Sequence, residues 1–151
     1  MRKLKTFIFL DIETKWLLIE SFIFLGWARF LKMLPFSKVA PALGIQMVET
    51  SFSDHSNNKC LKKVSSAIHI MSSYTFWESK CLVKAVAAMK MLERRKIEST
   101  LYFGTAKDDT GQMIAHAWLR SGSIYVTGSE GMEQFTVVSH FAKKITDNRG
   151  I

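Results

Sequence analysis

Residues 12–34 are apolar almost throughout. Trp16, Leu17, Leu18, Ile19, Phe22, Ile23, Phe24, Leu25, Trp27, Phe30 and Leu31 leave little polar face, and Glu20, Arg29 and Lys32 interrupt the run. The pattern predicts a long helix ended by Pro35. A spanning helix needs about 20 predominantly apolar residues with few or no charges, and this run falls short of that. It reads as a buried or partner-facing helix, or as one lying on a membrane surface, since basic residues flank its aromatics. Val39 to Leu43, with Pro41, form a short second element closed by Gly44. Residues 45–57 read as a loop, with Ser51, Ser53, Asp54, Ser56, Asn57 and Asn58 gathered near its end. That loop divides an N-terminal helical extension, 1–57, from the remainder, 58–151, within one compact domain.

The period of the pattern changes further on. Leu61, Val64, Ile68 and Met71 recur at spacings of three and four and predict a helix over Lys59 to Ser72. His69 lies beside that stripe and reads as a partly buried helix histidine; Cys60 at the start reads as a packed or surface thiol. Phe76 to Met91 predicts another helix, rich in alanine, with Cys81 in its first turn. Ser79 is one candidate N-cap, and Thr75 with Glu78 three residues on offers an earlier start. The run Glu93-Arg94-Arg95-Lys96 places cations in a last helical turn, where they complement the dipole. Strands are then predicted over Ile97 to Thr105, Met113 to Arg120, Ser123 to Gly128 and Phe135 to Val138, with a frayed tail from Thr146 to Ile151.

Strand alternation sorts the hairpin into faces. Met113, Ala115, Ala117 and Leu119 share one face, and His116, Trp118 and Arg120 share the other. A two-residue turn at Ser121-Gly122 would pair Arg120 with Ser123 and His116 with Thr127. Tyr125 and Thr127 would then join His116 and Trp118 on a polar and aromatic face meeting the start of the Cys81 helix.

Composition narrows the classes. The chain has 151 residues, 48% of them hydrophobic, which is enough for a real core. Two cysteines do not make a disulfide framework and suggest a reducing compartment. Residues 1–10 resemble the start of a signal peptide, but the apolar run is short, Asp11 and Glu13 follow at once, and no cleavage site appears, so export is not expected. The net charge of +8 suggests an acidic partner. The basic residues are dispersed and no nucleic-acid recognition motif is visible, so nucleic acid is not expected. No P-loop, GxGxxG, CxxC pair or HExxH is present.

The chemistry then rests on Cys81 and His116. A helix N-terminus favours the thiolate, the form that attacks carbonyls. A cysteine nucleophile, a histidine base and a third group orienting the imidazole form the generalised triad. The third member is open between Thr127, which the hairpin register favours, and Glu130, whose carboxylate would better stabilise an imidazolium.

Trp77, Lys80-Cys81-Leu82, Ala85, Leu92-Glu93-Arg94-Arg95, Tyr102 to Gly104 and Ala115-His116-Ala117-Trp118-Leu119 together resemble the transglutaminase-like B2 proteins of lasso-peptide biosynthesis, over roughly residues 60–140. Glu20, the apolar helix and Leu34-Pro35-Phe36 are similar to that family's helical extension, and the size resembles its split-B type. The resemblance implies an α+β fold: a transglutaminase- or papain-like core with a Cys-bearing helix packed on a small antiparallel sheet, behind an N-terminal helical extension. It implies a cytoplasmic, or membrane-associated, cysteine peptidase that cuts the leader from a lasso precursor peptide. A separate leader-binding B1-type protein and a lasso cyclase would be its partners. Cys81 would be the nucleophile, His116 the general base, and Trp77, Trp118 and Tyr125 substrate-binding residues, with no metal or cofactor. Much of the family carries an Asp near the end of the strand after the histidine; here Thr127 and Glu130 stand nearest that place. A transglutaminase-like acyltransferase and a non-catalytic scaffold are the alternatives.

Overall fold

The computed structural model describes residues 8–53, 57–75, 77 and 79–145. The expectations for the chain start before Ile8, for Asp54 and Ser56, for Glu78 as a capping residue and for the tail from Thr146 fall outside the described residues. Four α-helices, α1 (Ile12–Lys32), α2 (Phe36–Leu43), α3 (Asn58–Ser72) and α4 (Cys81–Arg94), and a short 3-10 helix, Met132–Gln134, are described. Five strands, β1 (Ile45–Gln46), β2 (Ser99–Lys107), β3 (Met113–Ser121), β4 (Ile124–Thr127) and β5 (Thr136–Lys143), form one antiparallel sheet in the order β1-β5-β2-β3-β4. The α+β architecture expected from the sequence is the one observed.

Alternation builds the sheet's two faces. Leu101, Ala117, Leu119 and Phe141 point into one core with Val83, Ala87 and Leu92 of α4 and Leu61 and Val64 of α3. Leu17, Leu18, Leu25 and Ala28 of α1 belong to the same core, so the N-terminal helix is packed into the body. Asp11 opens α1 by accepting from the Thr14 backbone N–H. On the opposite face the strap 49–52 crosses the sheet. There Arg120 is buried, and all five of its N–H groups find acceptors: Tyr102 Oη, the carbonyls of Ser51, Gly122 and Thr50, and Thr100 Oγ1. Phe52 lies over the guanidinium at 3.6 Å, and Tyr102 donates to Glu49. Burial, against the pull of Arg120, pushes the Tyr102 phenol up to about 12.

Several local expectations are corrected. Residues 45–57 hold a short strand, Ile45–Gln46, paired with Ala142 and Phe141 of β5. The last strand runs to Lys143 and joins β1 to β2, well beyond the predicted Val138. Helix α4 begins at Cys81 with Lys80 as N-cap and reaches Arg94. Ser79 is not its cap: its hydroxyl bonds Thr75 Oγ1 at 2.8 Å. The hairpin turn is Gly122-Ser123, since Ser121 pairs with Ile124 and Gly122 supplies the left-handed φ of 58°. Arg120 accordingly pairs with Tyr125, not Ser123, and a bulge puts Thr127 opposite Leu119, not His116.

Glu20 ties α1 to the end of α4. It bonds Arg94 at 2.8 Å and Arg95 at 2.8 and 2.6 Å. Burial alone would raise its carboxyl, but the two guanidiniums outweigh that and hold it below its ordinary value. Glu20→Gln is therefore expected to lower stability at neutral pH, by about 1–3 kcal/mol for a lost charge-assisted pairing. A depressed carboxylate contributes stability above its unfolded value, near 4.5, and loses it as pH falls through the lower folded value. Denaturant melts of the two proteins should differ at pH 7 and converge in acid.

Candidate active site

Helix α4 starts abruptly. Lys80 has extended backbone and provides no side-chain cap, and Cys81 is the first helical residue. The first N–H groups of a helix have no intrahelical acceptor, and their dipoles sum to a positive end. Cys81 is a free thiol, half-buried at that end.

His116 reaches the same place from β3. Helix α4 packs on the apolar face of the sheet with Ala117 and Leu119, and its first residue, Cys81, shares a cleft with His116 of the other face. The two meet where the edge strand β4 stops at Thr127. A cleft of about 410 Å³ opens there, lined by Cys81, His116, Tyr125, Thr127 and Glu130. Ser65 of α3 donates to the Val126 carbonyl at 2.6 Å and draws α3 alongside β4. His69 of α3 joins the cleft lining, as does Lys84 of α4, three residues after Cys81. His69 is exposed, where the sequence reading had it partly buried.

The imidazole is fixed by the residue after β4. Gly128 adopts φ 73°, and a Cβ there would lie 2.6 Å from the Ala117 carbonyl and 2.8 Å from Trp118 Cβ. This close approach aims the Gly128 carbonyl at His116 Nε2, 2.7 Å away. A carbonyl only accepts, so Nε2 carries the proton and Nδ1 keeps its lone pair. The ring is held between Trp118, with centroids 5.6 Å apart, and Phe135, at 5.0 Å. Gly104, paired with His116, leaves room for them: a Cβ would sit 2.8–2.9 Å from Trp118 and Phe135 atoms.

The remaining sequence candidates separate. Among the described residues neither Thr127 nor Glu130 hydrogen-bonds His116. Thr127 Oγ1 is buried without a hydrogen-bond partner, and Glu130 is exposed on the cleft rim. Tyr125 is exposed and lines the cleft. Trp118 is buried, stacked on Tyr102 at 5.7 Å, and supports the imidazole from behind. Trp77 packs on Phe22 and Gly26 of α1 and does not line the cleft. The Gly128 carbonyl and Phe135 were missed as orienting groups; a glycine closing the strand after the histidine was the signal for the first. Among the described residues no cluster of metal-ligating side chains occurs, and no helix is long and apolar enough to cross a membrane.

A first-turn cysteine facing a cleft with a histidine of fixed tautomer can form and break a thioester. The family comparison agrees: the Transglutaminase-like superfamily model matches residues 23–140, and the chain belongs to that superfamily, which includes cysteine peptidases and acyltransferases. Comparison with curated proteins and with solved structures gives no significant match.

Gly128→Ala is expected to strain the turn by about 1–3 kcal/mol and to release the imidazole. ¹⁵N imidazole spectra should show the Nε2–H tautomer of His116 in the wild type and a mixture in the variant.

Proposed function

We propose that this transglutaminase-like chain is a cysteine peptidase that removes the leader from a lasso-peptide precursor. The observation that carries the catalytic part is the shared cleft: Cys81 at the first position of α4, and His116 with Nε2 on a carbonyl and Nδ1 free. The substrate rests on the sequence resemblance, which joins the Cys-Leu helix start to Ala-His-Ala-Trp on β3. A separate leader-binding protein and a cyclase belong to the same reading. The leader would lie across the cleft past Tyr125 in extended form.

In the first step His116 Nδ1 takes the Cys81 proton and the sulfur attacks the scissile carbonyl. The Cys81 backbone N–H, at the helix start, faces the oxyanion. Nδ1–H then protonates the leaving amine as the C–N bond breaks, leaving a thioester on Cys81 and freeing the core peptide. Water, deprotonated by Nδ1, attacks the thioester and restores the thiol. The imidazolium is stabilised by the Gly128 carbonyl dipole, without a carboxylate partner.

Cys81→Ala and His116→Ala should each abolish leader release in a purified assay with precursor and leader-binding protein. The double variant should be no worse than either single, because nucleophile and base act as one unit. Cys60→Ala should remain active. Full activity in folded Cys81→Ala would sink the proposal, and an amine-crosslinked product in place of a freed leader would indicate the acyltransferase chemistry instead.

The third member separates on a second pair of variants. A triad acid that fixes the tautomer costs about 10⁴-fold when lost. With Gly128 in that role, Glu130→Gln and Thr127→Ala should both stay within about tenfold of wild type. A loss near the triad value in Glu130→Gln alone would show that the loop closes on His116 during turnover.

A further inference from the structure

Helix α1 is apolar on both sides, and among the described residues one side is covered. Leu17, Leu18, Ser21, Leu25 and Ala28 are buried in the core, which fixes the rotation of the helix. On the opposite side Ile12, Trp16, Ile19, Ile23 and Phe30 are between 42% and 74% exposed. Their spacings of four, three, four and seven keep them on one ridge. At 1.5 Å per residue the ridge is about 30 Å long. The helix cannot turn it inward without withdrawing Leu25 and Ala28.

Cations flank this ridge. Lys59 and Lys63 of α3 share a cleft with Trp16 of the ridge, Lys63 paired there with Glu13, and Lys62 lines the adjoining groove beneath the N-terminal half of α1. Toward the other end Lys90 lies over Trp27 and Arg94 over Phe24, each at 5.7 Å. Helices α1, α3 and α4 together carry nine Lys or Arg and three Glu. An apolar aromatic ridge between cationic shoulders complements an anionic lipid surface, where apolar burial and charge attraction act together. The same charge opposes a second copy on the ridge, because it would bring two basic surfaces together.

We propose that α1 lies in the headgroup region of an anionic bilayer, parallel to its plane, and makes the protein peripherally membrane-bound. Ile19 and Ile23 insert, and Lys59 and Lys62 of α3 face the lipid phosphates, while Lys63, Lys90 and Arg94 keep their partners Glu13, Glu93 and Glu20.

The full chain is tested by co-sedimentation with vesicles of phosphatidylcholine mixed with phosphatidylserine, against phosphatidylcholine alone. The expected result is binding to the mixed vesicles, weakened by salt, with a blue shift of tryptophan emission. Ile19→Glu with Ile23→Glu should lower the partition coefficient tenfold or more, since each side chain loses a full apolar insertion. Both positions are exposed, so melting should be unchanged; if it is not, Trp16→Ser serves in their place. Lys59→Glu with Lys62→Glu should abolish the preference for the anionic lipid. Absence of binding overturns the proposal, as does binding that the ridge substitutions leave untouched. Concentration-dependent dimers that those substitutions dissolve, without lipid binding, would give the ridge to a second copy and overturn it as well.

Discussion

The contact on which the site depends is backbone against backbone, where Gly128 presses on β3 at Ala117 and Trp118. No side chain fits there, and the left-handed φ is one that only glycine adopts freely. The turn therefore does two things with one residue. It ends the edge strand, which opens the cleft, and it points a carbonyl at His116. A peptide carbonyl can select an imidazole tautomer as a carboxylate can, since that needs only an acceptor in the right place. It stabilises the imidazolium less, because it carries partial charge only. The site is thus built for orientation first and charge stabilisation second.

The turn is supported from behind by a sheet that is covered on both faces. Helices close one side with aliphatic contacts. The strap 49–52 closes the other, and Arg120 is what makes that possible. A guanidinium so deeply buried is costly unless every donor is used, and here the strap carbonyls supply the missing acceptors. The Tyr102 ring stacks on Trp118, Trp118 lies against His116, and Tyr102 Oη joins Arg120 to Glu49. The polar clasp and the His116 ring are consecutive parts of one layer, joined through Tyr102 and Trp118.

What could be read from the sequence divides along the same lines. The helices, the strands and the choice of Cys81 and His116 as the residues to watch came from periodicity and from a distinctive set of short motifs. The register of the β3–β4 hairpin did not: the turn falls at Gly122-Ser123, one residue later than expected, which moves the pairing by two, and a bulge, which leaves little trace in composition, adds one more. Together they removed Thr127 from the place opposite His116. The strand at Ile45–Gln46 was hidden by its length, since two residues have no period. The burial of Arg120 was hidden too, because two of its acceptors, the carbonyls of Thr50 and Ser51, lie some 70 positions away in the chain. Trp77 and Trp118 drew notice as aromatic residues near the chemistry, and packing used both: one against α1, one behind the imidazole.

Helix α1 links these levels. Trp77, four residues before Cys81, rests on Phe22 at 5.0 Å and over Gly26, where a Cβ would come within 3.4 Å of its ring. The approach to Cys81 is therefore braced by the middle of α1, while Glu20 on the same helix holds the far end of α4 through Arg94 and Arg95. Both ends of the Cys81 helix are thus tied to α1. The exposed ridge of α1 therefore belongs to the same helix that braces both ends of α4, and Phe22, which Trp77 touches, is the chain neighbour of Ile23 on the ridge.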